Sequence, residues 1–341
     1  MFKKIQQKNN RPKQETKSNN SCVGVKALVF SFMILGALFY ALFCQNSIIV
    51  KANESTDKPA IRIQISPVDN RPTLNAGETS DFTFNVDNTG TEAYDFKVYV
   101  NPYSVTNEQY SPNFSNQNSH TMVSRWITFK NDAGEYVNET KYSVEPGQRK
   151  EVPYRITVPN DIPGGGQYAI IFVEAIPKED SAVSGIRTVS RLGFRIIGRT
   201  NGETKESAEI IKHNMDSFYM SGKVKSSAVI KNSGNADFSA ISKIKVEKFF
   251  GGTIFEDGKS YDVLPETTRD IETVWEDTPA FGIYRITSSI SALDQTKSTT
   301  KIVLIIPIFM IIILLMLLTI TIAWFIILYR KRQAQKSKLI I

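Results

Sequence analysis

Val158 to Ala175 reads VPNDIPGGGQYAIIFVEA, with three consecutive glycines, Gly164 to Gly166, before an apolar run. A glycine-rich loop can cradle a phosphate with its backbone N–H groups, provided a helix N-terminus follows and faces the anion. Here the next residues, YAIIFVEA, read as a buried strand, and no Lys-Ser/Thr pair follows the glycines. The stretch is therefore read as a turn between strands. Its extra glycines permit φ > 0 or a close backbone contact.

Other side chains offer little reactive chemistry. His120 and His213 are the two histidines, and neither has a cluster of ligands beside it. The chain contains no H-E-x-x-H, no G-x-S-x-G and no cysteine nucleophile in a catalytic setting. Cys22 and Cys44 both precede residue 53, so thiol chemistry and cysteine metal sites are absent from the remainder. Glycoside hydrolysis needs only two acids facing one cleft. Glu108, Asp132 and Glu135 are nameable for that role, and the competing reading is of solvated surface acids. The expectation is a non-enzyme with no catalytic residue, metal or cofactor.

Tyr103 to Trp126 points to binding instead. This stretch, YSVTNEQYSPNFSNQNSHTMVSRW, sets Tyr103, Tyr110, Phe114 and Trp126 among Asn, Gln and Ser. Aromatic faces cover sugar C–H surface and amides pair with hydroxyls, so the insertion suits glycan or peptide contact. The alternative is a loop that packs its aromatics on its own sheet. Trp126 is the one most suited to the core, since RWITF continues as a strand.

The elements that must position these residues read as strands. IRIQISP, DFTFNVDN, DFKVYV and VPYRITVP alternate apolar and polar residues, with turn signals NAGE, NTGT and EPGQ between strands. The pattern repeats. An Asn-x-Gly turn occurs in DNTGTEAYDFKVYV and in KNSGNADFSAISKIKV. VEPGQRKEVPYRITVP matches VLPETTRDIETVWEDTP, each a proline turn followed by an edge-like strand. Pro163, Gly166 and Tyr168 recur with the same offsets as Pro279, Gly282 and Tyr284. The tyrosine suits a corner whose hydroxyl bonds to the backbone. The fold class is all-β, with two tandem Ig-like β-sandwiches at residues 60–197 and 203–297. The insertion belongs to the first.

The ends carry the charge. The formal net charge is +7, yet residues 1–26 hold seven Lys or Arg and 330–341 hold five, leaving 29 basic and 33 acidic side chains between them. No basic patch for nucleic acid is expected. Ala27 to Phe43 is uncharged after a basic leader, and VKA at Val50 to Ala52 suits cleavage, so residues 1–52 read as a signal peptide or anchor. Phe43 is too large for a lipidation site at Cys44. Residues 302–329 form an uncharged run of 28, long enough for a transmembrane helix. The basic tail 330–341 places the C-terminus in the cytoplasm and the sandwiches outside the cell membrane. No Leu-Pro-x-Thr-Gly sorting motif precedes the run.

The layout, with SPVDN, the Asn-x-Gly turn, SVEPGQ and VPNDIPGGGQYAIIFVEA followed by a second β-rich domain, one helix and a basic tail, resembles the WxL-interacting proteins of Gram-positive bacteria. The resemblance implies a peptidoglycan-binding first domain and a host- or partner-binding second domain. The implied role is a non-catalytic, membrane-anchored surface adaptor contacting peptidoglycan and exported proteins. A strand-addition chaperone or scaffold for another surface protein is the alternative.

Overall fold

The computed structural model describes residues 61–176, 190–220 and 222–338. The segment expected to be a leader, the expected cleavage site and both cysteines lie outside the described residues. The first half carries β1 (Ile63–Ser66), β2 (Asp69–Asn70), β3 (Thr73–Leu74), β4 (Thr79–Asn88), β5 (Tyr94–Pro102), β6 (Ser104–Val105) and β7 (Pro112–Asn113). It continues through β8 (Ile127–Lys130), β9 (Tyr136–Val137), β10 (Glu139–Val144), β11 (Arg149–Thr157), β12 (Gly165–Ile176) and β13 (Arg191–Thr200). One sheet runs β1-β4-β11-β8-β9 and the other β10-β5-β12-β13-β2, while β6 and β7 form a small hairpin of their own. Alternation along β4, β5 and β11 turns one face of each sheet inward. Phe84, Phe96, Phe129, Tyr154, Ile171 and Phe194 fill the space between as one continuous core. The Phe84 and Phe194 rings stack across it at 4.7 Å.

The second half carries β14 (Ala208–Met215), β15 (Phe218–Tyr219), β16 (Val224–Asn232), β17 (Phe238–Lys248), β18 (Thr253–Val263), β19 (Thr268–Trp275), β20 (Gly282–Ala292) and β21 (Gln295–Ile305). Its sheets are β14-β16-β19 and β15-β21-β20-β17-β18. A single long helix, α1 (Ile308–Lys338), follows. The architecture is thus all-β with packed, mostly antiparallel sheets and one C-terminal helix.

Three expectations change. The strands of the two halves run to Thr200 and Ile305, past the predicted ends at 197 and 297. The uncharged run 302–329 is divided, because Val303 and Ile305 are buried core residues of β21 and the helix begins only at Ile308. A buried strand end and a membrane helix are equally apolar, so composition does not separate them. Finally, β11 is not an edge strand, since it lies between β4 and β8. Its Pro153, which has no N–H to donate, sits just before the stretch Tyr154–Ile156 that pairs with β8. β19, the matching strand, is an edge.

Candidate functional site

The insertion folds onto the first half. Strand β12 is buried on both faces, which explains why YAIIFVEA is continuously apolar rather than alternating. One face meets the core, and the insertion covers the other. Phe114 stands edge-on to Phe172 with centroids 5.0 Å apart, and stacks with Tyr103 at 6.4 Å. Gln167, fully buried on β12, donates from Nε2 to the Ser119 carbonyl at 2.6 Å and accepts from the Val123 N–H at 3.2 Å. Trp126 is in the core, as its place before a strand predicts.

Tyr110 reaches into the second half. Its hydroxyl meets Thr267 Oγ1 at 2.5 Å and accepts from the Leu264 N–H at 2.9 Å. The Arg269 guanidinium lies 4.2 Å from the ring centroid. Burial pushes the Tyr110 phenol above its ordinary value, against the opposing hydrogen bond from Thr267. The four candidate aromatics therefore form no common surface: Trp126 packs inward, Phe114 and Tyr103 pack on the sheet, and Tyr110 ties the halves together.

The glycine run makes the rest of the seam. Gly165 has φ of 111°. A Cβ there would strike the Asn235 carbonyl, and one on Gly164 would come within 2.6 Å of the Glu203 carbonyl. The Gly166 N–H donates to the Asn235 carbonyl at 2.8 Å, and Asn235 Nδ2 donates to the Gly164 carbonyl at 3.2 Å. The glycines thus admit another segment's backbone, which is the close-contact reading.

Gly166 and Gly282 share a different purpose. In each half a Cβ at that position would occupy the ring of the tyrosine two residues on, Tyr168 or Tyr284. The motif sits where a turn leads into the next strand, with Pro163 and Pro279 in the connections β11–β12 and β19–β20, and its glycine makes room for a folded-back ring. The hydroxyls then differ. Tyr284 Oη donates to the Phe281 carbonyl over 3.4 Å. Tyr168 Oη makes no such local corner: it donates to Asp237 Oδ1 at 2.9 Å and accepts from the Asp237 N–H at 3.0 Å, across the seam.

Charges complete the contact. Arg71 and Arg195 approach Asp262 at 2.9 and 3.6 Å. Arg199 donates to the Asp237 carbonyl at 2.6 Å. Asp69 bridges Arg195 at 3.0 Å on the first-half side. These partly buried, multiply bonded pairs hold orientation better than an isolated surface pair would.

Beside the seam is an open cleft of about 220 Å³. Tyr103, Asn116, His120 and Tyr168 face Leu264, Glu266 and Thr267 across it. His120 Nδ1 lies 3.0 Å from the Gly166 carbonyl, and the His120 carbonyl accepts from the Tyr168 N–H at 2.7 Å. Glu266 is the one carboxylate in the lining. Asp132 pairs with Lys150 and Glu135 with Asn131 on the β8–β9 hairpin, whereas the Glu108 carbonyl accepts from the Asp270 N–H at the seam. The structure does not bring the three together. His213 lies elsewhere, inside the second half, 3.0 Å from Ser288 Oγ. Sequence reasoning missed Asn235, Asp237 and Gln167. The available signal was the run YAIIFVEA, whose lack of alternation required a cover on both faces.

No family model matches the chain, and no curated protein matches it. Solved structures do. One is a chaperone–tip adhesin complex of CFA/I fimbriae biogenesis, 14% identical, covering 72% of this chain and 99% of that one at a TM-score of 0.35. Another is the CsuC–CsuE chaperone–tip adhesin pre-assembly complex of Acinetobacter baumannii, at 13%, 70%, 98% and 0.35. A third is the PapD-like domain 7 of human CEP192, at 16%, 45%, 95% and 0.30.

Proposed function

We propose that this chain is a non-catalytic, membrane-anchored adaptor that binds a cell-wall glycan or peptide in the seam cleft. The observation that carries the reading is the cleft itself, walled by Tyr103 and His120 on one side and Glu266 and Thr267 on the other. An aromatic wall with amides and hydroxyls suits sugar rings or peptide backbone, and about 220 Å³ accommodates one sugar or side chain. The hydrogen bonds and ion pairs across the seam support the reading, because a site shared by two halves is useful only if they stay in register. The 26 residues Ile308–Gln333 are long and apolar enough to cross a bilayer. The basic residues from Arg330 favour a cytoplasmic C-terminus. The resemblance to WxL-interacting proteins supports peptidoglycan and exported proteins as the partners.

One observation favours the strand-addition alternative. β18 ends its sheet and runs for 11 residues with its outer edge free of a neighbouring strand among the described residues. Glu256, Asp257 and Lys259 punctuate its middle, which is how edges are kept from indiscriminate pairing. Co-sedimentation of the detergent-solubilised chain with peptidoglycan sacculi tests the first reading, alongside Ser119→Trp to fill the cleft. Pelleting that Ser119→Trp loses supports the cleft. Pelleting unaffected by it moves the wall site elsewhere, and no pelleting removes the wall reading. A photo-crosslinker at Lys259 that captures an exported protein would then bring the edge forward.

A further inference from the structure

We infer that the far end of the second half rests on the bilayer surface through an apolar collar, with Phe249 and Phe250 inserted among the lipid headgroups. The inference rests on the reading of α1 as a membrane anchor.

The hairpin between β17 and β18 closes with the Gly251 N–H donating to the Lys248 carbonyl at 2.9 Å. Phe249 and Phe250 are therefore the two central residues of a tight turn. Such positions normally carry Gly, Asn, Asp or Pro, because those residues set the turn's backbone. Here the following residues, Gly251 and Gly252, supply the positive φ values, 98° and 89°. Folding does not call for aromatics at the tip. Phe250 is 97% exposed, and its ring touches Phe249 edge-on at 5.1 Å.

Register places this tip. Lys248 pairs with Tyr284, and Tyr284 with Val303. Continuing two residues brings Phe250 level with Ile305, the last residue of β21. Phe218 pairs with Leu304, and Phe281 precedes Gly282, which pairs with Ile305. Phe218, Met220, Phe249, Phe250, Phe281 and Ile283 are all exposed large apolar residues and all lie at this one end. Scattered apolar residues need no explanation, but a collected patch does.

Continuity with the helix identifies what covers the patch. Ile306 and Pro307 alone separate β21 from α1. The connection is not loose, since the Ile306 N–H donates to the Tyr219 carbonyl and the Met310 N–H to the Pro307 carbonyl, both at 2.9 Å. Proline suits the first helical turn, where its missing N–H costs nothing. If the hydrocarbon begins near Ile308, Phe250 lies about 10 Å of strand before it. The polar layer on each side of a bilayer is about 5–8 Å deep, so a Phe side chain reaching down from that level enters it. Lys248, beside the pair, offers an ammonium to headgroup phosphate. Apolar rings with a flanking cation are the composition of an interfacial contact.

The test uses the full chain in phosphatidylcholine/phosphatidylglycerol vesicles, with Cys22→Ser and Cys44→Ser as background. Spin labels at Phe250→Cys, Leu293→Cys and Trp324→Cys report collision with oxygen, which concentrates in lipid, and with a water-soluble nickel chelate. Leu293 is exposed at the opposite end of the second half, and Trp324 lies in α1. The expected result is a nickel accessibility at Phe250→Cys at least about fivefold below that at Leu293→Cys, with raised oxygen accessibility. Equal nickel accessibility at the two sites, with Trp324→Cys in lipid, overturns the collar and leaves the anchor. Shielding of Phe250→Cys from both reagents means a protein covers it, which also overturns the proposal. A water-accessible Trp324→Cys overturns the anchor reading and the collar with it.

Discussion

The two halves use the same joints around different interiors. Asn88 and Asn232 are both buried. Each donates from Nδ2 to two carbonyls, Glu92 and Val144 in one half and Ala236 and Val263 in the other. Each accepts from the glycine N–H two residues on, at 3.0 and 2.9 Å. The first core is one apolar body. The second is two apolar clusters separated by a buried layer of Ser226, Ser242, Thr273 and Ser288, with His213 beside it. Ser226 and Ser288 meet at 2.7 Å, and Ser242 and Thr273 at 2.5 Å. A local turn can therefore be repeated without repeating the core it closes. The polar layer fixes sheet register at the expense of apolar burial.

The largest effect should come from the continuous core. Phe194→Ala removes a ring stacked on Phe84, and should lower stability by about 3–5 kcal/mol in urea unfolding of residues 61–306. The shared joints come next. Asn88→Ala and Asn232→Ala should each cost about 2–3 kcal/mol, since each leaves buried backbone groups unpaired. A cost in one half alone would break the equivalence. The polar layer sharpens the contrast. Thr273→Val strands Ser242 and should cost about 1–2 kcal/mol, whereas Ser242→Ala with Thr273→Val should restore most of it. Equal losses in the single and double variants would mean that the hydroxyl pair is not the coupled unit.

The sequence made the strands legible because half-buried sheets write period two directly into it. It also made the repeats legible, although not their purpose. Gly166 and Gly282 were visible as a spacing, but only packing shows that each accommodates a tyrosine ring. The seam was hidden for another reason. Asn235 and Asp237 look like ordinary turn residues, and what they touch lies near Gly164 and Tyr168, some 70 positions away. The insertion's aromatics suggested either a binding surface or a loop packed on its own sheet, and a loop and a cover have the same composition. The polar layer was invisible because Ser and Thr on the inward phase of a strand look like exposed ones.

The first core has one polar flaw of its own. Tyr94 Oη is buried and finds no partner among the described residues. Burial, with Asp87 adding to it, pushes this phenol up to about 12. Tyr94→Phe removes the unmatched hydroxyl and keeps the ring, so it should stabilise the first half by up to about 1 kcal/mol. Unfolding midpoints of the two proteins check it, and a loss of stability would mean that the hydroxyl is satisfied in solution.

The second half should differ again in its response to acid. His213 is held below its ordinary value of 6.5, first by burial and then by Lys297. Ser226, Ser288 and Thr299 also face its ring. The folded state therefore binds this proton less readily than the unfolded chain does. Stability from the neutral ring is fully present above about 6.5 and declines as pH falls from there toward the lowered folded value. Below that value both states are protonated and the loss stops growing. Hydrogen exchange resolves the halves. Amides of β16 and β20 should lose protection below pH 6.5 relative to those of β5 and β12, and His213→Gln should flatten that difference. A slope that survives His213→Gln would assign the acid sensitivity to another group. The polar layer would then act on register alone and not on pH response.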